Sequence, residues 1–351
     1  MAYTTINKST DYFNTKIYTG TGSSNAITGI GFAPDWLWLK SRNTATSNQL
    51  VDNVRGATKM LASNVTDAEF TDANRVASLD SDGMTLGTNS NTNGSGTPYI
   101  SWLWKANGQG SANTDGSINT TYTSANTTSG FSIIKYNGNG SAGATIGHGL
   151  GVAPKCVIIK RTDTTSNWIF GTGATGFTKF LYLNTTDTEQ TNSGTFNDTA
   201  PSSSLITLGS WNDVNNSSGT YICYAFAEKT GFNKFGLYEG NGNAAGPFVY
   251  TGFKPAFIML RGKGIARNWT NWDNARDIFN PHWNYIYPNL SQAGTNIAHG
   301  SSGSFAIDFL SNGFKLRNTD DKFNGSGQGY IYMAFAAAPL VGSNNIPATA
   351  R

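Results

Sequence analysis

The chain has 351 residues, of which 13% are Asp, Glu, Lys or Arg, and a formal net charge of +3. That is about half the usual charged fraction of ~25%. Without a Lys/Arg-rich run it excludes a surface that tracks nucleic acid, and no apolar run approaches the ~18 residues of a membrane-spanning helix. Gly is abundant at 41 residues and aromatics make up 13%, a composition of turns and packed strands instead of disorder.

Residues 1–14 read as a polar lead-in lacking the positive and apolar segments of a signal peptide. A first β repeat spans 15–106. It opens on Tyr18-Thr19-Gly20-Thr21-Gly22, steps through Pro34, and enters Trp36-Leu37-Trp38-Leu39-Lys40. Trp36 and Trp38 fall on one face of that strand and Leu37 and Leu39 on the other, as in a strand held between two layers. Ser81-Asp82-Gly83-Met84 reads as a turn into a strand, and Tyr99-Ile100-Ser101-Trp102-Leu103-Trp104 closes the repeat.

Residues 107–129 hold almost no large apolar side chain and read as a Gly/Ser/Asn/Thr linker, flexible in isolation. A second repeat, 130–229, replays the order with Tyr136-Asn137-Gly138-Asn139-Gly140, then Pro154, then the closing Tyr221-Ile222-Cys223-Tyr224. A third, 230–339, has Tyr238-Glu239-Gly240-Asn241-Gly242, Pro255 and Tyr330-Ile331-Tyr332-Met333. Residues 340–351 form a C-terminal tail. The expected fold is therefore all-β, with three tandem antiparallel β-sandwich (jelly-roll-like) repeats of ~100 residues. Repeats two and three abut and are expected to share a rigid interface, with repeat one behind the linker, and the repeat number alone suggests that the single chain mimics a trimer with a pseudo-threefold axis.

Chemistry is scarce. Gly138-Asn139-Gly140-Ser141-Ala142-Gly143 fits GxGxxG, but the Gly-rich, β-branched stretch after it does not make the helix a nucleotide needs. A hairpin turn is the expectation. His148, His282 and His299 do not recur between repeats, and neither Cys156 nor Cys223 has metal-ligand spacing with a His, so no metal and no cofactor is expected. The cysteines read as small buried apolar residues. No catalytic residues are assigned. Asp52 and Arg55 in repeat one, and Asp273 and Arg276 in repeat three, share an Asp-Asn-x-Arg pattern. Each reads as a turn fixed by a carboxylate–guanidinium pair. Trp269, Trp272, Trp283, Tyr285 and Tyr287 lie in the least repeat-like segment. They read either as an exposed-loop recognition surface or as filling for a long loop.

Several stretches carry a family resemblance: MAYTTINKSTDYFNTKIYTGTG, GFAPDWLWLKSR, LVDNVRGATKMLASN, SLDSDGMTLG, YICYAFAEKTGFNKFGLYEGNG and the closing NNIPATAR. They resemble a family of marine bacteriophage virion proteins over essentially the whole chain. The resemblance implies a structural protein of the virion. A tail fibre, spike or receptor-binding component that recognises the host surface is the first expectation, a capsid decoration or head-fibre protein the second, and a polysaccharide-degrading tailspike enzyme the third. It implies other virion proteins and a host-surface glycan or protein as partners and a homo-oligomer, while the charge and hydropathy patterns lead to the expectation of no nucleic acid and no membrane insertion. It supplies no catalytic residues. A polar surface poor in ions suits seawater, where screening lengths of a few Å weaken surface ion pairs.

Overall fold

A computed structural model describes residues 3–294 and 305–342. The fold is all-β: among the described residues the helices are single turns of three or four residues, and strands make antiparallel sheets. Three units share one strand order. In unit one the large sheet runs Phe13–Thr19, Pro98–Trp104, Trp36–Ser41, Gln49–Asp52, Lys59–Ala62, Phe70–Thr71, and a small sheet of Asn25–Ile27, Gly83–Leu86 and Val76–Asp80 covers one of its faces. In unit two the strands Phe131–Asn137, Thr220–Phe226, Cys156–Arg161, Trp168–Thr172 and Lys179–Tyr182 take the same order. So do Asn233–Glu239, Gly329–Pro339, Phe253–Gly262, Thr270–Asp273 and Tyr285–Ile286 in unit three.

The Tyr-x-Gly turns have one local cause. Tyr18 stacks on Tyr99, Tyr136 on Tyr221 and Tyr238 on Tyr330, each pair with centroids 5.1 Å apart. The second tyrosine of each pair accepts from a turn N–H and donates to a turn carbonyl: Gly94 and Ser90 for Tyr99, Asn216 and Asn212 for Tyr221, Gly325 and Asp321 for Tyr330. A Cβ on Gly20, Gly138 or Gly240 would come within 2.3–2.4 Å of a backbone oxygen of that turn, so only glycine fits there. Gly138 opens a turn that runs into the strand Ala144–Gly147, not into a helix.

Each large sheet buries both faces. Leu37, Leu39 and Leu103 face unit one's own small sheet, whereas Trp36, Trp38, Trp102 and Trp104 face the middle of the molecule. Cys156, Ile158, Tyr224 and Phe226 reach the same place from unit two, and Phe257, Met259, Met333 and Phe335 from unit three. The three corresponding residues Trp104, Phe226 and Phe335 meet there, with centroids 5.6 Å apart for Trp104–Phe335 and 5.8 Å for Phe226–Phe335. Unit one, though separated from the other two in sequence by residues 107–129, therefore packs directly against both. Its double tryptophan face has no second sheet of its own to pack on, and the other units' sheets cover it.

The contacts between units run in a closed cycle. Trp168 Nε1 of unit two donates to the Ala62 carbonyl of unit one, and Trp269 Nε1 of unit three to the Tyr182 carbonyl of unit two. Asn48 Nδ2 of unit one completes the ring on the Tyr287 carbonyl of unit three. One buried cation per unit reinforces each seam. Lys40 bonds the carbonyls of Thr46 and Ser291, Lys160 those of Ser166 and Thr66, and Arg261 those of Tyr182, Thr185 and Asp187. Burial lowers Lys40 and Lys160 to about 8 and Arg261 to about 10.

Residues 107–129 are not a free linker. Tyr122–Asn126 pairs antiparallel with Phe131–Asn137, and Ile118 is buried and bridges to Ile146. The segment caps the otherwise open edge of unit two's large sheet, using backbone bonds that its polar side chains do not announce. The lead-in also docks: Ile6 is buried, Tyr3 Oη donates to the Gly252 carbonyl of unit three at 2.7 Å, and Phe13 stacks on Phe335 at 5.0 Å. Most of the 340–351 tail, and His299, lie outside the described residues.

Candidate functional site between units three and one

Both Asp/Arg turns form as read. Asp52 Oδ1 accepts from the Arg55 backbone N–H and its Oδ2 from Arg55 Nε at 2.6 Å. Asp273 does the same for Arg276, again at 2.6 Å. Each carboxylate has a further role that the sequence did not reveal. Asp52 Oδ2 accepts from Tyr224 Oη of unit two at 2.7 Å, and Asp273 Oδ2 from Trp102 Nε1 of unit one at 3.3 Å. Burial and the neighbouring Asp52 charge raise the Tyr224 phenol well above its ordinary pKa, which keeps its donating proton in place.

The aromatic recognition surface is not there. Trp269, Trp272, Tyr285 and Tyr287 are buried, and Trp283 is half-buried. Trp269 fills the seam with unit two, its ring 4.8 Å from Phe170, while Trp272 and Tyr285 pack on each other at 5.0 Å in unit three's own core. These rings turn inward because large apolar side chains gain most by leaving water, and they fill the seam and unit three's core.

What the segment does expose is Ile278 and Phe279, 73% and 69% accessible. They flank a cleft of about 600 Å³ lined also by Lys254, Asn274, His282 and Phe309. The floor is fixed. The Asn280 amide both donates to the Phe309 carbonyl and accepts from its N–H, and the backbone of His282 pairs with Ile307. The His282 ring stacks on Phe309 at 4.1 Å, and burial lowers its pKa to about 4. A second cleft, of about 370 Å³, lies across the seam between units three and one. Arg42, Asn43, Arg276, Asn284, Ala293 and Gly294 line it. Burial first, then the Arg276 charge, pull Arg42 below the ordinary arginine value, and Asp273 and Asp277 act in the opposite sense.

Among the described residues no group of three or more His, Cys, Asp or Glu is placed to hold a metal. His148 and His282 lie apart, each buried in its own unit, and Cys156 and Cys223 are both buried free thiols. Residues 8–339 match the model of a domain of unknown function, DUF7483. The chain belongs to the DUF7483 family. The match runs through all three units, so the family's length takes in the whole ring of sheets. No curated protein matches the chain.

Sequence reasoning missed Arg42, Ile278, Phe279 and Gly294. A position-by-position overlay of the three units would have picked out Gly294 and Asn284, because the other two units carry ions there: Glu69 and Glu189 against Gly294, Lys59 and Lys179 against Asn284.

Proposed function

We propose that this chain is a structural component of a virus particle, a tail fibre, spike or receptor-binding part. It presents surface loops to a host glycan or protein from a rigid β scaffold. The observation that carries the reading is the shared aromatic centre of the three large sheets, sealed by a closed cycle of carbonyl-capped cations and indoles. Such a centre supports load and fixes geometry, and it leaves recognition to what stands outside it. The resemblance to virion proteins of marine bacteriophages supports the same reading. Ile278 and Phe279, paired and exposed beside a preformed cleft, are the best placed contact residues, because exposed adjacent apolar side chains on a charge-poor surface favour partner contact.

Antibody labelling of intact particles, with copy counting, tests the location. A few to a few dozen copies at the tail supports the reading, and a dense coat on the head favours the decoration alternative. Absence from particles ends both. Binding of the purified chain to host cells, compared with an Ile278→Ser/Phe279→Ser variant of unchanged melting temperature, tests the contact residues. Equal binding by the two removes them from the reading.

A further inference from the structure

Three hydrogen-bonded asparagines align the units. Asn64 accepts from the Asn48 N–H, Asn184 from the Trp168 N–H and Asn289 from the Trp269 N–H. Five residues after these stand Glu69, Glu189 and Gly294. The backbone confirms the match. Glu69 N–H donates to the Thr162 carbonyl and Glu189 N–H to the Lys263 carbonyl, each on the next unit in the cycle. Gly294 lies against the equivalent carbonyl, that of Arg42, which a Cβ on it would approach to 3.1 Å.

The two glutamates have fixed tasks. Glu69 meets Arg55 Nη1 at 3.2 Å. Glu189 meets Lys179 at 2.7 Å and, across the seam, Lys263 at 3.8 Å. Two of these three cation positions, those of Arg55 and Lys263, stay cationic at the third seam, where the glutamate is absent. Arg276 repeats Arg55: its Nε is on Asp273, and its Nη2 is on the Asn271 carbonyl as that of Arg55 is on the Leu50 carbonyl. Its Nη1, the nitrogen that meets Glu69 in unit one, is buried without a hydrogen-bond partner, on a side chain only 2% exposed. Arg42 stands where Lys263 stands. Asn284 replaces the lysine of the other two units, so the seat keeps two guanidinium groups and no lysine.

We propose that this cleft binds a carboxylate supplied by a ligand, seated where units one and two carry their own glutamate. Arg276 Nη1 would take one oxygen and Arg42 the other, a charge-assisted arrangement worth more than a neutral hydrogen bond. It would also satisfy a buried donor that otherwise carries a desolvation cost. The cleft holds more than a carboxyl group, and it continues past Arg42 along Ile17, Tyr18, Thr19 and Pro98. The carboxylate can therefore come as a simple acid or on an acidic sugar ring. The seat has this chemistry whether or not the chain is part of a particle.

The test uses the purified full chain, titrated separately with acetate, glucuronate and glucose at constant ionic strength and followed by calorimetry and melting temperature. Both carboxylates should bind and glucose should not. Glucuronate tighter than acetate makes the ring part of the ligand, and equal affinities make the source a bare acid. Arg42→Gln should weaken binding by about tenfold or more, with the fold intact. Gly294→Glu should raise the melting temperature without ligand and abolish the response to carboxylates. If that variant does not fold, Arg42→Gln decides. No binding by either carboxylate, glucose binding as well as glucuronate, or an Arg42→Gln chain that binds unchanged would each overturn the proposal. Absence of the chain from particles, with glucuronate binding intact, would sink the virion reading alone.

Discussion

The seat at Asp52 and the seat at Thr172 hold the same place in units one and two, yet one is a buried ion pair and the other is neutral. Asp52 and Thr172 stand opposite Trp36 and Cys156 on neighbouring strands. Unit two presents Tyr224 to Asp52, and unit one presents Trp102 to Asp273, both with a donor. The residue of unit three matching Tyr224 and Trp102 is Met333, which has no proton to give. Around the cycle, a carboxylate occurs where the next unit brings a donor and is missing where it brings a thioether. Burying a charge is costly unless it is paired, and a thioether offers a carboxylate no hydrogen bond.

That difference can be broken in a graded way. Asp52→Ala should cost the most, about 3–5 kcal/mol, because it leaves the buried Arg55 guanidinium without its main partner. Chemical denaturation should show one cooperative transition shifted to lower denaturant. Separate transitions for the units would contradict the shared centre. Thr172→Asp should cost about 3 kcal/mol, since the new carboxylate would meet Met333 and no arginine. An Asp tolerated at that site without loss would show that the pairing rule does not govern these seats.

The segment without a counterpart in the other units responds to pH. His282 titrates at about 4 when folded and near the ordinary 6.5 when unfolded. Its stabilising contribution is complete above about 6.5 and is lost as pH falls through about 4, because the unfolded chain takes the proton first. The loss should be on the order of 3 kcal/mol. It is read as the difference in pH–stability profiles between the protein and His282→Gln, and parallel profiles would refute it. The smallest effect is expected from Tyr224→Phe, about 1.5 kcal/mol for one bond to a charged acceptor. An unchanged denaturation midpoint in that variant would show that the Asp52 carboxylate does not need the phenol.

Much of the fold was legible in the residues. Alternating tryptophan and leucine over Trp36-Leu37-Trp38-Leu39 marked a strand covered on both faces, and the Tyr-x-Gly turns marked where sheets fold back. The Asp/Arg spacing marked two turns that form as read. Less of the candidate site was legible. The aromatics at 269–287 gave no sign of facing inward, because a tryptophan has the same composition signal whether it binds a partner or fills a seam. Strand Tyr122–Asn126 was hidden for the opposite reason, since its pairing rests on backbone bonds and not on an apolar face.

By itself, then, the sequence determined the strands, their turns and the two faces each must bury, since these follow from period-two patterning and from glycine's freedom over short stretches. Which unit covers which face, where each buried cation finds its carbonyls, and which arginine nitrogen is left without a partner were decided only by the closed packing of three sheets. Those contacts join residues far apart along the chain, and no local pattern carries information over that distance.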